Sequence, residues 1–255
     1  MATFGRRLLL AVDAKGYGGV RVVTQGQFQE AIQKLLGQAA EAAGLERERW
    51  QTQEGGDSVL AVLPEGASEP DLVDTFMRRL DAGLRDFNHD RLPERWLRLR
   101  AAVHFGTASP AANGFVGRAP VEIGRILDSA PLRSALAAAP DACLAVAVSA
   151  TVFNDVISEA YTTIRAQEFR EVRIAEKEYS GTAWIWVPGY DARALGIEGP
   201  TVHAGPDEPS AQGGDGGGAE NPARPQSAPT APGDTVVQHF NGTVNAEGAV
   251  FGISK

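Results

Sequence analysis

The sequence holds one cysteine, Cys143, so no intrachain disulfide is open to it and a disulfide-built scaffold is excluded. Its four histidines, His89, His104, His203 and His239, are too scattered for a histidine-based metal cluster. Long apolar runs are missing as well. The N-terminal run Leu8 to Val12 is far shorter than the roughly 20 residues of a membrane span, and Asp13 and Lys15 follow it with no small-residue cleavage site. Basic clusters are absent: 24 Lys and Arg stand against 32 Asp and Glu, net −8, with no patch dense enough to track a phosphate backbone. The expectation is a cytoplasmic protein with neither a membrane nor a nucleic acid as partner. What is present is ordinary for a globular chain, 43% hydrophobic and 22% charged over 255 residues, enough for one large domain and an appendage.

Composition changes sharply after Trp184, Trp186, Val187 and Pro188. From Gly199 to Gly233 there are eight glycines and seven prolines, and Val202 is the sole aliphatic residue, too little apolar surface to offset the entropy of ordering. The chain divides into a globular domain over 1–190, a flexible Gly/Pro-rich linker over 191–233 and a short β-prone motif over 234–255.

Within the domain, Arg7 to Val12 reads as a buried strand bounded by the glycines at 16 to 19. Thr24 and Gln27 have capping-box spacing ahead of a helix with Phe28, Ile32, Leu35, Leu36, Ala39 and Ala43 on one face, ended by Gly44. Trp50 to Gln53 and Ser58 to Leu63 flank a glycine turn and read as a hairpin. A second helix starts near Ser68 and Pro70 and turns Leu72, Phe76, Leu80, Leu84 and Phe87 inward. Next come a strand Leu97 to Phe105, a small-residue loop Gly106 to Gly117, a third helix from Val121 to Ala138 and a strand Cys143 to Val148. A short helix at Phe153, Val156 and Ile157 and final strands Val172 to Ile174 and Ala183 to Val187 complete the domain. This order predicts an α/β (α+β), ferredoxin-like and palm-like sandwich, a mixed sheet with helices on one face.

Two carboxylates stand where folding alone does not require them. Asp13 ends the first strand and Asp57 sits in the glycine turn of the hairpin, which this topology sets beside that strand. Either alone suits an ordinary turn residue. Together at one sheet edge they would repel unless a divalent cation lay between them, and Mg²⁺ favours one or two carboxylates with phosphate oxygens. Gly16, Gly18 and Gly19 open the following loop for backbone N–H groups to approach a triphosphate. His104, between Val103 and Phe105, reads as a structural histidine, and Cys143, among alanines and Leu144, as an inert core thiol.

The segment Asp13-Ala14-Lys15-Gly16-Tyr17 resembles the first metal-binding motif of class III nucleotidyl cyclases, and Gly56-Asp57-Ser58 resembles the hairpin carrying their second metal-binding Asp. Leu99 to Gly106, with Arg100 and His104, resembles the family strand of a basic residue, alternating apolars, His and Gly, and Val121 to Ala130 resembles the dimer-facing helix after it. Ile126-Leu127-Asp128 and the closing run Ala183 to Gly189 are similar to cyclase-like domains of actinobacterial signalling proteins. The resemblance covers about residues 5 to 188. Gly55-Gly56-Asp57-Ser58 also resembles the GGDEF signature of diguanylate cyclases, but the downstream strand and helix fit that family less well.

The resemblance implies a homodimer that binds a nucleoside triphosphate with Mg²⁺ or Mn²⁺. Asp13 and Asp57 would hold metal, Gly16, Tyr17, Gly18 and Lys177 would lie at the triphosphate, and Gln53 at the base. The partner's helix would supply an Asn and an Arg to the transition state. Here the chain departs from the pattern, for no Asn is present around Pro120-Val121-Glu122-Ile123-Gly124-Arg125-Ile126. Arg125 takes the Arg position if the alignment shifts by one residue; in the other register Glu122 replaces Asn and Ile126 replaces Arg.

Beyond the linker, Phe240-Asn241-Gly242-Thr243-Val244 and Val250-Phe251-Gly252-Ile253 combine β propensity, low charge and ladder-forming amides. They resemble bacterial amyloid signalling motifs related to the RIP homotypic interaction motif, which implies templated pairing with a sensor protein carrying a matching motif. A disordered tail or a strand on the domain's own edge fits the same residues. Three readings follow: a signalling or effector protein binding nucleotide and metal, an active cyclase in which the ribose 3′-oxygen attacks the α-phosphorus and pyrophosphate leaves, and a degenerate dimerisation module.

Overall fold

The computed structural model describes residues 5–112, 114–176 and 179–197. Lys177 lies outside the described residues, as do the expected self-association motif over 234–255 and the linker from residue 198 on.

Strand β1 (Gly5–Ala14) is the central element because its run Leu8 to Ala14 is buried without alternation, the pattern of a strand covered on both faces. It pairs antiparallel with β3 (Ser58–Val62) on one side and with β4 (Leu99–Ala111) on the other. Beyond β3 lies the edge strand β2 (Gln51–Glu54); beyond β4 come β6 (Leu144–Ser149), β8 (Tyr179–Trp186) and the other edge, β7 (Arg170–Glu176). The β4–β6 pairing is parallel and the rest are antiparallel. A short β5 (Gly114–Val116) folds back on the end of β4. The sheet is mixed, as expected.

Helices cover both faces rather than one. Even-numbered β1 residues Leu8, Leu10 and Val12 pack under α1 (Val22–Ala42), the wide turn Leu72–Phe76 that follows the short α2 (Glu69–Asp71), and α3 (Met77–Asn88), while Leu9 and Ala11 face α4 (Arg118–Leu127) and α5 (Ala130–Ala138). Other expectations shift locally. The Thr24–Gln27 capping box does not form, because α1 begins at Val22, and Gln25 instead donates to the carbonyls of Tyr17 and Val20. The small-residue loop at 106–117 is largely strand, since β4 runs on to Ala111 and turns back through β5.

The single helix expected over 121–138 is two. Ser129 breaks it, its side chain accepting from the Leu132 N–H with Pro131 in the first turn, an N-cap written in Ser129-Ala130-Pro131. The first turn of helix at Ser68 forms as expected, with Ser68 accepting from the Asp71 N–H at 3.2 Å. After β6 the chain makes the turn α6 (Ala150–Val152) and a wide turn Phe153–Ile157. Packed residues continue past 190: Ala192 and Ile197, within the stretch 191–233 expected as linker, are buried on the α4/α5 side. No helix among the described residues is long and apolar enough to cross a membrane.

Candidate functional site

The register gathers the charged residues at one end of the central strands. Asp13 pairs with Ser58 of β3 on one side and with Arg100 of β4 on the other. The turn between β2 and β3 brings Asp57 alongside, its carbonyl accepting from the Ala14 N–H at 3.1 Å. Gly56 makes that turn in the left-handed region, at φ 72°.

The Asp13 carboxylate is engaged at both oxygens by Arg100, Nε donating to Oδ1 at 2.9 Å and Nη2 donating to Oδ2. The pair is secluded, with side chains 12% and 13% exposed. Burial raises the Asp13 carboxyl above its ordinary range, against the pull of Arg100, and the charges of Asp128 and Asp57 push the same way. Arg100 Nη1 is buried and meets no hydrogen-bond partner. The Asp57 carboxylate is half-buried and makes no hydrogen bond or ion pair among the described residues. Lys15, next to the site, has its ammonium pushed down by burial first and then by the like charges of Arg98 and Arg100.

Two residues before Arg100, Arg98 ties this end of β4 to α5. Its guanidinium donates to the carbonyls of Leu136 and Ala139 at 2.6 Å each and of Ala142 at 2.7 Å, satisfying the acceptors left at a helix end.

On the other flank of Asp13 the glycine loop closes as a tight turn. Gly16 takes φ 76°, which excludes most side chains, whereas a Cβ on Gly18 or Gly19 would meet nothing within 4 Å. Tyr17 packs partly against the core, and its hydroxyl accepts from Gln29 Nε2 of α1 at 2.6 Å. Gln29 Nε2 also lies 3.8 Å from where a Cβ on Gly56 would stand, so Gln29 of α1 lies beside both the glycine loop and the Asp57 turn.

A cavity of about 210 Å³ opens between the β2–β3 hairpin and α4, lined by Ala11, Gln53, Glu54, Ser58, Ile123 and Gly124 among others. Gln53 reaches across to the β4–β5 arm, where a Cβ on Gly114 would stand 2.3 Å from Gln53 Oε1. The cavity thus joins Gln53 to the strand whose end carries Asp13.

Helix α4 places the residues of the departed motif differently. Ile126 is in the core at 0% exposure, and Arg125 is half-buried on the flank, with no hydrogen bond or ion pair among the described residues. Glu122 turns to the sheet: its Oε2 lies 3.0 Å from His104 Nε2, and its Oε1 accepts from Arg118. Neither His104 nitrogen attains hydrogen-bond alignment. Burial lowers the His104 pKa, outweighing the opposing pull of Glu122, so the ring is biased to the neutral form.

Asp13 and Asp57 supply hard oxygen donors of the kind Mg²⁺ and Mn²⁺ take; the Asp57 carboxylate is unengaged among the described residues, and both Asp13 oxygens are held by Arg100. No group of three or more His, Cys, Asp or Glu side chains suited to a metal occurs among the described residues. Sequence reasoning singled out Arg100 as part of a motif and missed its pairing with Asp13; the only signal available was its basic character on an otherwise apolar strand.

No family model and no curated protein matches the sequence. Solved structures do match the fold. The crystal structure of an adenylate/guanylate cyclase/hydrolase from Silicibacter pomeroyi is 17% identical, aligning 74% of this chain with 99% of that one at a TM-score of 0.53. A bacterial light-regulated adenylyl cyclase is 14% identical over 76% of this chain at a TM-score of 0.51, and this chain spans 56% of its length. At these identities the likeness is one of architecture: about three quarters of the chain shares the fold of these adenylate and guanylate cyclase structures.

Proposed function

We propose that this domain binds a nucleoside triphosphate together with Mg²⁺ or Mn²⁺ and serves a signalling or effector role rather than rapid cyclisation. The observation that carries the reading is the convergence of Asp13, Asp57 and Arg100 at one end of β1, β3 and β4, beside the glycine loop and the Gln53-lined cavity. In this reading Asp13 and Asp57 hold the cation, which when bound neutralises phosphate charge. Gly16, Tyr17 and Gly18 border the phosphates, Lys177 contacts them, and Gln53 lies toward the base. Homodimerisation, the implied sensor partner and a self-associating role for residues 234–255 belong to the same proposal and rest on sequence resemblance.

Two features argue against efficient cyclisation. Glu122 is spent on His104 and Arg118 within its own fold, and Ile126 is sealed in the core, so neither presents a transition-state donor. Arg125, with no hydrogen bond or ion pair among the described residues, is left on that helix to reach a partner's nucleotide.

The test is nucleotide binding by the full chain with ATP or GTP and Mg²⁺ or Mn²⁺, with cyclic products sought by mass spectrometry. Metal-dependent binding lost in Asp57→Ala, with little or no cyclic product, is the expected outcome. Binding indifferent to metal and to Asp57→Ala would sink the reading, and a cyclic product lost in that variant would establish an active cyclase instead.

A further inference from the structure

We propose that Arg100 is an intramolecular latch on Asp13: its guanidinium occupies the carboxylate that a divalent cation would take, so the cation binds well only when the guanidinium is drawn away. The inference rests on the metal-binding reading above and adds regulation to it.

Three observations carry it. The engagement is complete, since both Asp13 oxygens are taken by two nitrogens of a planar fork whose geometry matches a carboxylate. It is secluded, so water and salt screen it less than a surface pair, and a cation arriving at Asp13 must compete with a full charge already in place. It is also unsatisfied on one side: Arg100 Nη1 is buried with no acceptor, so the guanidinium has a reason to move toward an anion that offers one. Asp57, by contrast, has no side-chain partner among the described residues to displace and provides a lone carboxylate, a weak site by itself.

The consequence is linkage. An anionic ligand that draws Arg100 off Asp13 raises cation affinity there, and by reciprocity a bound cation raises affinity for that anion by the same factor. Within the proposed function the anion is the nucleotide's phosphate chain, which makes the free domain a poor binder of cation alone.

The test titrates the full chain with Mn²⁺ alone, free ion being counted by electron paramagnetic resonance, in wild type and Arg100→Gln. The glutamine variant should bind Mn²⁺ at least about tenfold more tightly, because the competing charge is gone. Equal or weaker binding in Arg100→Gln overturns the latch while leaving the metal site standing. Absence of Mn²⁺ binding in both proteins at millimolar concentration overturns the metal reading itself, and the latch with it.

Should Arg100→Gln fail to fold, the arginine Nε–Hε signals of wild type answer the same question. The Arg100 signal should be indifferent to Mg²⁺ alone and move when Mg²⁺ and ATP are added together. A full shift with Mg²⁺ alone refutes the proposal.

Discussion

Arg100 and His104 lie four residues apart on β4, turn to the same face of the sheet and each meet a carboxylate, yet the two pairs differ in kind. Arg100 grips Asp13 with both oxygens engaged and a nitrogen to spare, at the strand end where the glycine loop and the Asp57 turn converge. His104 faces Glu122 beneath α4 at 3.0 Å without alignment, its ring biased to the neutral form. A guanidinium keeps its charge at any working pH and trades partners as an ion; a buried imidazole sheds its charge and packs. The first pair is suited to respond to a ligand, and the second to hold a helix. Glu122 stands on that helix at the place where the cyclase resemblance, in one register, calls for an Asn, so the structural use of one pair removes a residue the other site would have needed.

The sharpest way to break this contrast is to force a site residue back into α4. Ile126→Arg puts a charge at a position with no exposure and should abolish folding; the milder Ile126→Ala should cost roughly 2–5 kcal/mol in urea unfolding, as core truncations do. Stability unchanged by Ile126→Ala would mean that α4 is not seated as described.

Next in size is Gly106→Ala. A Cβ there would stand 2.7 Å from His104 Nε2 and 2.8 Å from Ala119 Cβ, so the histidine or the start of α4 must shift, at about 1–3 kcal/mol by urea unfolding, with nucleotide affinity at Asp13 and Asp57 little affected. Equal loss in both readouts would show that the two ends are mechanically coupled.

The smallest effect is a pH dependence. The folded His104 pKa is depressed below the ordinary value of 6.5, so unfolded chains bind the proton better, and the stability tied to the neutral ring is present above about pH 6.5 and lost as pH falls toward the folded pKa. Arg118 and Glu122 of α4, Arg6 of β1 and Tyr179 of β8 are the charged and titratable groups around that site. His104→Asn should therefore flatten the wild-type fall in melting temperature between neutral pH and pH 5. Parallel curves for the two proteins would assign that fall to other groups.

Much of the fold is legible in local pattern. The unbroken apolar run of β1, the helical spacing from Phe28 to Ala39 and the glycine turn before Ser58 each carry their element in a short window. The errors lie where competing local signals or distant partners decide. Gly106, Pro110 and a run of alanines look like a loop, yet β4 continues through them because β1 and β5 supply hydrogen-bond partners. Thr24 and Gln27 spell a cap that Arg21 and Val22 pre-empt, and Ser129 with Pro131 spelled a break that apolar periodicity concealed. At the candidate site, the neighbourhood of Asp13 and Asp57 follows from strand pairing alone. The Asp13–Arg100 pair joins residues 87 apart in sequence, and no periodicity announces which strand will lie beside β1.

That same pairing sets a timetable during synthesis. Strand β1 finds β3 once residue 62 has emerged, but its other hydrogen-bonding edge waits for the β4 residues Leu99 to Ala108. At ribosomal rates of about 5–20 residues per second, the central strand spends roughly 2–10 s with an open hydrogen-bonding edge. The interval is long beside the microseconds of hairpin formation, so a nascent chain of this protein has a defined period in which β1 offers an open edge to any neighbouring strand.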